Sequence, residues 1–262
     1  MNKVTTQLLG GIGNNLFQIA NAYAYSLKYN KELVLINNKQ GATHGSLSSY
    51  SDNILNKINF QEKYDFSNFK IQSELVFNYI PIPKFNHNVY LNGYFQSEKY
   101  FIDFESEIRE LFSYEVAVNK ELSNLLENKN TCSIHVRRGD YVNLPNHHPT
   151  QDMNYYMKAI KKMPKDSVFL IFSDDIKWCK ESFPDLPEKF IFVEGNKDYE
   201  DLYIMSKCRN NIIANSTFSW WGAWLNRNLD KVVIAPNPDN WFGPAMSNHN
   251  TKDIIPESWI KI

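Results

Sequence analysis

A chain of 262 residues with 43% hydrophobic content can bury a substantial core as one large domain or two small ones. Lysine and arginine number 28 against 29 acids, which argues against a basic nucleic-acid or membrane-surface binder. Cys132, Cys179 and Cys208 are odd in number and far apart, which argues against a disulfide framework and against the common zinc patterns.

The opening reads strand, turn, helix, strand. "VTTQLL" (4–9) is strand-like, "GGIGNN" (10–15) is a turn, and Leu16, Ala20, Tyr23 and Leu27 recur at helical spacing. "ELVLI" (32–36) is a second apolar run, which completes a βαβ unit. Residues 37–53 form a polar loop, "NVYLNGYFQS" (88–97) suggests a strand and turn, and residues 103–113 and 119–130 suggest helices. The expected domain boundary lies near residue 127, dividing the chain into 1–126 and 127–262. Further apolar runs fall at 132–136, 168–172, 189–193, 211–214 and 231–235. Between them lie a helix capped by Asp152 with Met153, Tyr156, Ile160 and Met163 inward, one capped by Asp198 with Leu202 and Met205 inward, and one over 216–225. Short apolar strands alternating with helices predict an α/β fold with parallel sheets covered on both faces. No stretch approaches the ~20 apolar residues of a membrane span, and the start "MNKVTTQLLGG" lacks a signal-peptide core; the expected location is cytoplasmic.

Three polar clusters end predicted strands, where such sheets bind ligands. In "RRGDY" (137–141), Arg137 and Arg138 leave the strand on opposite faces, so one enters a cleft while the other braces the loop. A guanidinium offers a fork of donors matched to phosphate oxygens. Gly139 permits a close approach, and Asp140 is either a base or the partner that holds an arginine. In "NSTFSWWGAWL", Ser216 and Thr217 start a helix, which reads as an ordinary cap or as an anion site. Phe218 suits stacking on a base, and Trp220, Trp221 and Trp224 suit packing of the helix. "FSDD" places Asp174 and Asp175 where they accept from a ligand or cap a helix. "GGIGNN" fits a dinucleotide turn only in part: Gly11 and Gly13 match, Leu16 does not, and no acid stands near Asn37 and Asn38. A nicotinamide cofactor is not expected. Asn14 and Asn15 either cap the helix or bond a sugar. His148, in a proline-flanked loop, either touches an acceptor or is solvated. No D-x-D, P-loop or G-x-S-x-G occurs.

Taken together, "GGIGNNLFQIANAYA", "HVRRGDYV", "FSDD" and "NSTFSWWGAWL" resemble, in order and spacing, the α-1,2-fucosyltransferases. The resemblance spans residues 9 to about 240; Asn15 departs from it, because the family usually has glutamine there. It implies a GT-B-type arrangement of two Rossmann-like domains, 1–126 on the acceptor side and 127–262 on the donor side, and an inverting, metal-independent transfer from GDP-β-L-fucose. The acceptor would be the 2-hydroxyl of a terminal β-galactoside in a surface glycan or O-antigen. It maps the β-phosphate contact to Arg137, and places His135, Asp174 and Asp175 near the guanosine, with Arg138 among the donor-side residues. Ser216, Thr217 and Phe218 would line the diphosphate and nucleoside. Gly11, Gly13 and Asn14 would lie near the fucose, with Asn15 and His148 toward the acceptor. No cofactor or metal is expected, and no nucleic-acid partner; a lipid-linked acceptor would bring peripheral membrane association. The rival readings are a catalytically silent nucleotide-sugar or glycan-binding module, a fucosyltransferase of another linkage, and a sulfotransferase.

Overall fold

The computed structural model of the chain describes residues 1–37, 47–186 and 189–262. Asn38 and most of the polar loop expected to shape acceptor choice therefore lie outside the described residues. The chain divides into two compact units, residues 1–114 with 249–256, and residues 115–248 with 257–262. The division thus falls ahead of residue 127, and a short carboxy-terminal segment returns to the first unit.

The first unit opens with strand β1 (Lys3–Thr6), helix α1 (Ile12–Tyr29), β2 (Glu32–Leu33) and β3 (Leu35–Ile36). Strands β4 (Phe60–Gln61), β5 (Lys70–Ser73) and β6 (Val89–Asn92) and helix α2 (Glu105–Leu111) follow. One parallel sheet has the order β2-β1-β6-β5, and β3 pairs with β4 in a second, two-stranded sheet. The single apolar run 32–36 therefore serves two sheets, its backbone switching partners at Val34. Helix α1 ends at Asn30, whose φ of 51° lets its N–H and that of Lys31 close on the carbonyls of Leu27 and Ser26. Leu16 and Ala20 are fully buried as expected, but Leu27 is exposed and Tyr23 only half-buried. The buried surface of α1 is broader than a stripe, running from Ile12 to Ser26, because the unit covers the helix on more than its sheet side.

The second unit contains α3 (Lys120–Asn128), β7 (Thr131–Val136), α4 (Met153–Ile160), β8 (Val168–Ser173), α5 (Ile176–Ser182) and β9 (Phe190–Phe192). It continues with α6 (Asp198–Lys207), β10 (Asn210–Ile212), α7 (Thr217–Leu225), β11 (Val233–Ala235) and β12 (Ile260–Lys261). These strands form one parallel sheet, ordered β12-β11-β10-β7-β8-β9. Its first strand lies in the middle; the chain builds outward to β9, then crosses back to build outward to β12. That is the doubly wound arrangement, with its switch point between β7 and β10. All six residues of β7 are buried, as a central parallel strand covered on both faces requires. The core packs Cys132, Ile134 and Val136 of β7 against Phe169 and Ile171 of β8, Tyr156 and Ala159 of α4, and Ile212 and Ile234.

Candidate active site

The carboxyl ends of β7, β8 and β10 bring the three polar clusters of the sequence into one region of the second unit. Arg137 leaves the end of β7 with two carboxylate partners. Its Nη2 lies 2.5 Å from Asp140 Oδ1, and its Nη1 lies 2.8 Å from Asp174 Oδ2. Arg138 bonds through Nε to Asp175 Oδ2 at 3.0 Å and lies over the Trp178 ring at 4.0 Å. Both arginines lie just beyond β7, which ends at Val136, and each takes its own carboxylate partner from the end of β8. Asp175 also caps α5, accepting from the Trp178 N–H, and Arg138 draws its carboxyl below the usual range. Asp174 Oδ1 accepts the Arg138 backbone N–H at 2.9 Å, so one carboxylate fixes both arginines. Gly139 makes this possible: a Cβ there would stand 2.4 Å from Asp174 Oδ2.

At the neighbouring strand end, Ser216 occupies the cap position of α7, yet its hydroxyl closes no first-turn amide. The start of α7 follows closely on the end of β10, where a helix N-terminus directs backbone donors outward. Trp220, Trp221 and Trp224 are buried and pack against one another, as expected of the helix's inner face. Phe218 is half-buried, with its ring 5.5 Å from that of His135. Burial, reinforced by Arg137, pushes the His135 imidazole down to about 3, so it is neutral at physiological pH. Its Nδ1 is buried and has no hydrogen-bond partner among the described residues. Tyr141 stands beneath Arg137, with the guanidinium carbon 5.1 Å from its ring centre. The Tyr141 ring also stacks on His148 at 4.8 Å, and the His148 ring meets Phe242 at 5.7 Å. His148 is thus wedged in an aromatic column rather than solvated, and burial lowers its proton affinity.

In the first unit, the turn after β1 is built as a hydrogen-bonded loop cluster. Gly10 takes the left-handed conformation at φ +79°, and Gly11 occupies the cap position of α1 with an extended backbone. Gly13 lies buried in the first turn of the helix. Asn14 Oδ1 accepts from Gln96 Nε2 at 3.0 Å. Asn15 is buried, and its amide donates to Leu9 O and Gln18 Oε1, so this side chain braces the turn from inside. Gln18 in turn donates to Gly93 O. Opposite, Glu74 accepts the backbone N–H groups of Tyr94 and Phe95. Burial raises its carboxyl above the ordinary value despite those bonds. Phe95 carries a φ of 53°, unusual for a bulky residue. Sequence reasoning gave no role to Glu74, Gln96, Tyr141 or Trp178. Tyr141 and Trp178 were within reach as neighbours of quoted motifs, but Glu74 and Gln96 become adjacent to the turn only through the pairing of β5, β6 and β1.

Two carboxylate-braced arginines and a helix start thus meet at the switch point of a doubly wound sheet, the place where such folds bind their ligands. The model of glycosyl transferase family 11 matches residues 1–262, and the chain belongs to that family of glycosyltransferases. It is 33% identical to an alpha-1,2-colitosyltransferase of Escherichia coli, over 100% of this chain and 99% of that protein. It is 30% identical to the O-antigen biosynthesis glycosyltransferase WbnK of Escherichia coli, over 97% of this chain and 99% of that protein. Similarity to the galactoside 2-alpha-L-fucosyltransferase SEC1 of Bos taurus is 24%, over 84% of this chain and 64% of that protein. Among solved structures, POFUT1 in complex with GDP-fucose superimposes with a TM-score of 0.50 at 12% identity, covering 100% of this chain and 97% of that one. The likeness is one of fold, the GT-B type expected from the sequence.

Proposed function

We propose that the chain transfers L-fucose from GDP-β-L-fucose to the 2-hydroxyl of a terminal β-galactoside in a surface glycan, with inversion and without a metal ion. The observation that carries this reading is Arg137, fixed by Asp140 and Asp174 just beyond β7 and tied through Tyr141 to the residue before the cap of α7. Cleavage of the fucose–phosphate bond leaves growing negative charge on the β-phosphate oxygens. A guanidinium has five N–H donors, and the two carboxylates leave the rest of its fork for those oxygens. Because the charge grows as the bond breaks, Arg137 and the α7 amide groups stabilise the transition state more than the ground state. The fixed cation supplies the leaving-group assistance that a divalent ion gives elsewhere. His135 and Phe218 form a neutral, partly apolar floor suited to the nucleoside, with Asp174, Asp175 and Arg138 holding the donor loop in shape. The acceptor hydroxyl attacks from the face opposite the diphosphate, and Asp140 is our candidate to receive its proton. In the first unit, the turn at Gly11, Gly13 and Asn14 is assigned to the sugar, and Asn15 to keeping that turn in place.

A second donor reading has its own support. The 33% identical relative is named for colitose, a sugar that lacks the 3-hydroxyl of fucose, and it shares the α-1,2 linkage. The deciding experiment offers GDP-fucose and GDP-colitose with a panel of galactosides and assigns the product linkage by NMR. An α-1,2-fucosylated galactoside as main product supports the first reading. Preferential use of GDP-colitose establishes the second, and no product from any pair would leave a silent binding module.

A further inference from the structure

We infer that Tyr141 is a positioning residue that locks the two halves of the proposed diphosphate clamp into one register, with Arg137 on its ring face and the start of α7 on its hydroxyl. The inference rests on the reading of Arg137 as the diphosphate ligand.

Four observations carry it. The Arg137 guanidinium carbon lies 5.1 Å from the Tyr141 ring centre, within the range of cation–π attraction. The Tyr141 hydroxyl donates to the backbone carbonyl of Asn215 at 3.3 Å, and Asn215 immediately precedes the Ser216 cap of α7. Asn215 is itself immobilised: its amide donates to Pro149 O at 2.9 Å and Trp241 O at 3.0 Å, and its Oδ1 accepts from Gln151 at 3.2 Å. The Tyr141 ring is further held by His148, stacked on it at an interplanar angle of 20°. The chain linking guanidinium to helix start is therefore one rigid side chain anchored at both ends. Neither end duplicates the carboxylate contacts of Arg137, which hold its edge and leave its face to the tyrosine.

Such a device has a signature that a general packing role lacks. GDP carries the β-phosphate that both halves of the clamp address, whereas GMP does not. The test measures inhibition of transfer by GDP and by GMP, with thermal melting, for wild type, Tyr141→Phe, Tyr141→Leu and Arg137→Ala. Losing both the ring face and the hydroxyl in Tyr141→Leu should weaken GDP about tenfold while leaving GMP within about twofold. Tyr141→Phe keeps the ring and loses the tie to Asn215, so its GDP-to-GMP preference should fall by about threefold with melting near wild type. An unchanged preference in a folded Tyr141→Phe or Tyr141→Leu, or equal losses for both nucleotides, overturns the inference. Arg137→Ala separates the layers: if it too leaves GDP affinity intact, the failure lies with the diphosphate assignment, and if it alone loses GDP, only the role of Tyr141 is wrong.

Discussion

At the scale of single residues, two adjacent arginines are given different carboxylate partners. Arg137 meets Asp140 and Asp174 while Arg138 turns to Asp175 and Trp178, both arginines standing just beyond the last residue of β7. The arginine pair and its place after an apolar strand were legible in the sequence; which carboxylate each arginine takes was not, because Asp174 and Asp175 follow another strand. Replacing Arg137 by Lys should lower kcat/KM for transfer at least tens-fold, since one ammonium cannot hold two carboxylates and still present a fork. Near-normal turnover in that variant would remove Arg137 from the mechanism. Gly139 gives a second residue-level prediction. A methyl group there meets Asp174 Oδ2 at 2.4 Å, so Gly139→Ala must displace the carboxylate that holds both arginines. Steady-state assays should show a loss of about tenfold or more with a largely retained fold, and wild-type kinetics would mean that Asp174 is dispensable for placing Arg137.

At the scale of elements, local caps were partly readable. Asp152 caps α4 through the Tyr155 N–H, as its position before the apolar stripe suggests. For α6 the expected cap at Asp198 is displaced by one residue. Lys197 holds the cap position, and Glu200 reaches back to its N–H at 2.6 Å, while Asp198 stands inside the first turn. With three acids in that turn, the sequence offered several equivalent starts, and the backbone path from β9 chose between them. Asp201, the third of these acids, is the most buried, and burial pushes its carboxyl up to about 6. Its folded-state proton affinity exceeds the unfolded one, so its contribution favours folding at low pH and is lost as pH rises through about 6. Asp201→Asn removes that loss while its oxygen can still accept from Asn196. The variant should be more stable near neutral pH by about 1 kcal/mol, the helix dipole offsetting part of the gain, and the difference should vanish toward about pH 4. Denaturant melts at both pH values would check this, and equal stability at neutral pH would refute it. The "NIIA" run shows the opposite limit. Asn211 looks like a strand-flanking polar residue, yet its amide is buried and bonds Ser133 Oγ and Met205 O, while its oxygen accepts from Asn226. No periodicity announces an internal polar network, because its partners come from β7, α6 and the end of α7.

At the scale of the whole molecule, two α/β units each carry a polar loop cluster beyond the carboxyl ends of parallel strands. In the second unit, the strand order makes β7 and β10 neighbours although α4 to α6 separate them in sequence. This brings a guanidinium and a helix start together, and on the proposed mechanism those protein charges act in place of a bound cation. Transfer should therefore persist in excess EDTA after dialysis against chelator, and activity lost to chelator and restored by a divalent ion would refute the metal-independent scheme. The amino-acid sequence by itself determined the class of fold, because strand and helix periodicities and their alternation are properties of neighbours along the chain. It also determined the motifs that place the chain among its relatives, since their chemistry lies in residue types at fixed spacing. Only the tertiary structure decided that Asn15 turns inward, that Tyr141 lies beneath Arg137, and that Asp174 binds both arginines. Those outcomes depend on the register between strands far apart in sequence, and register follows from how whole faces pack rather than from any local pattern.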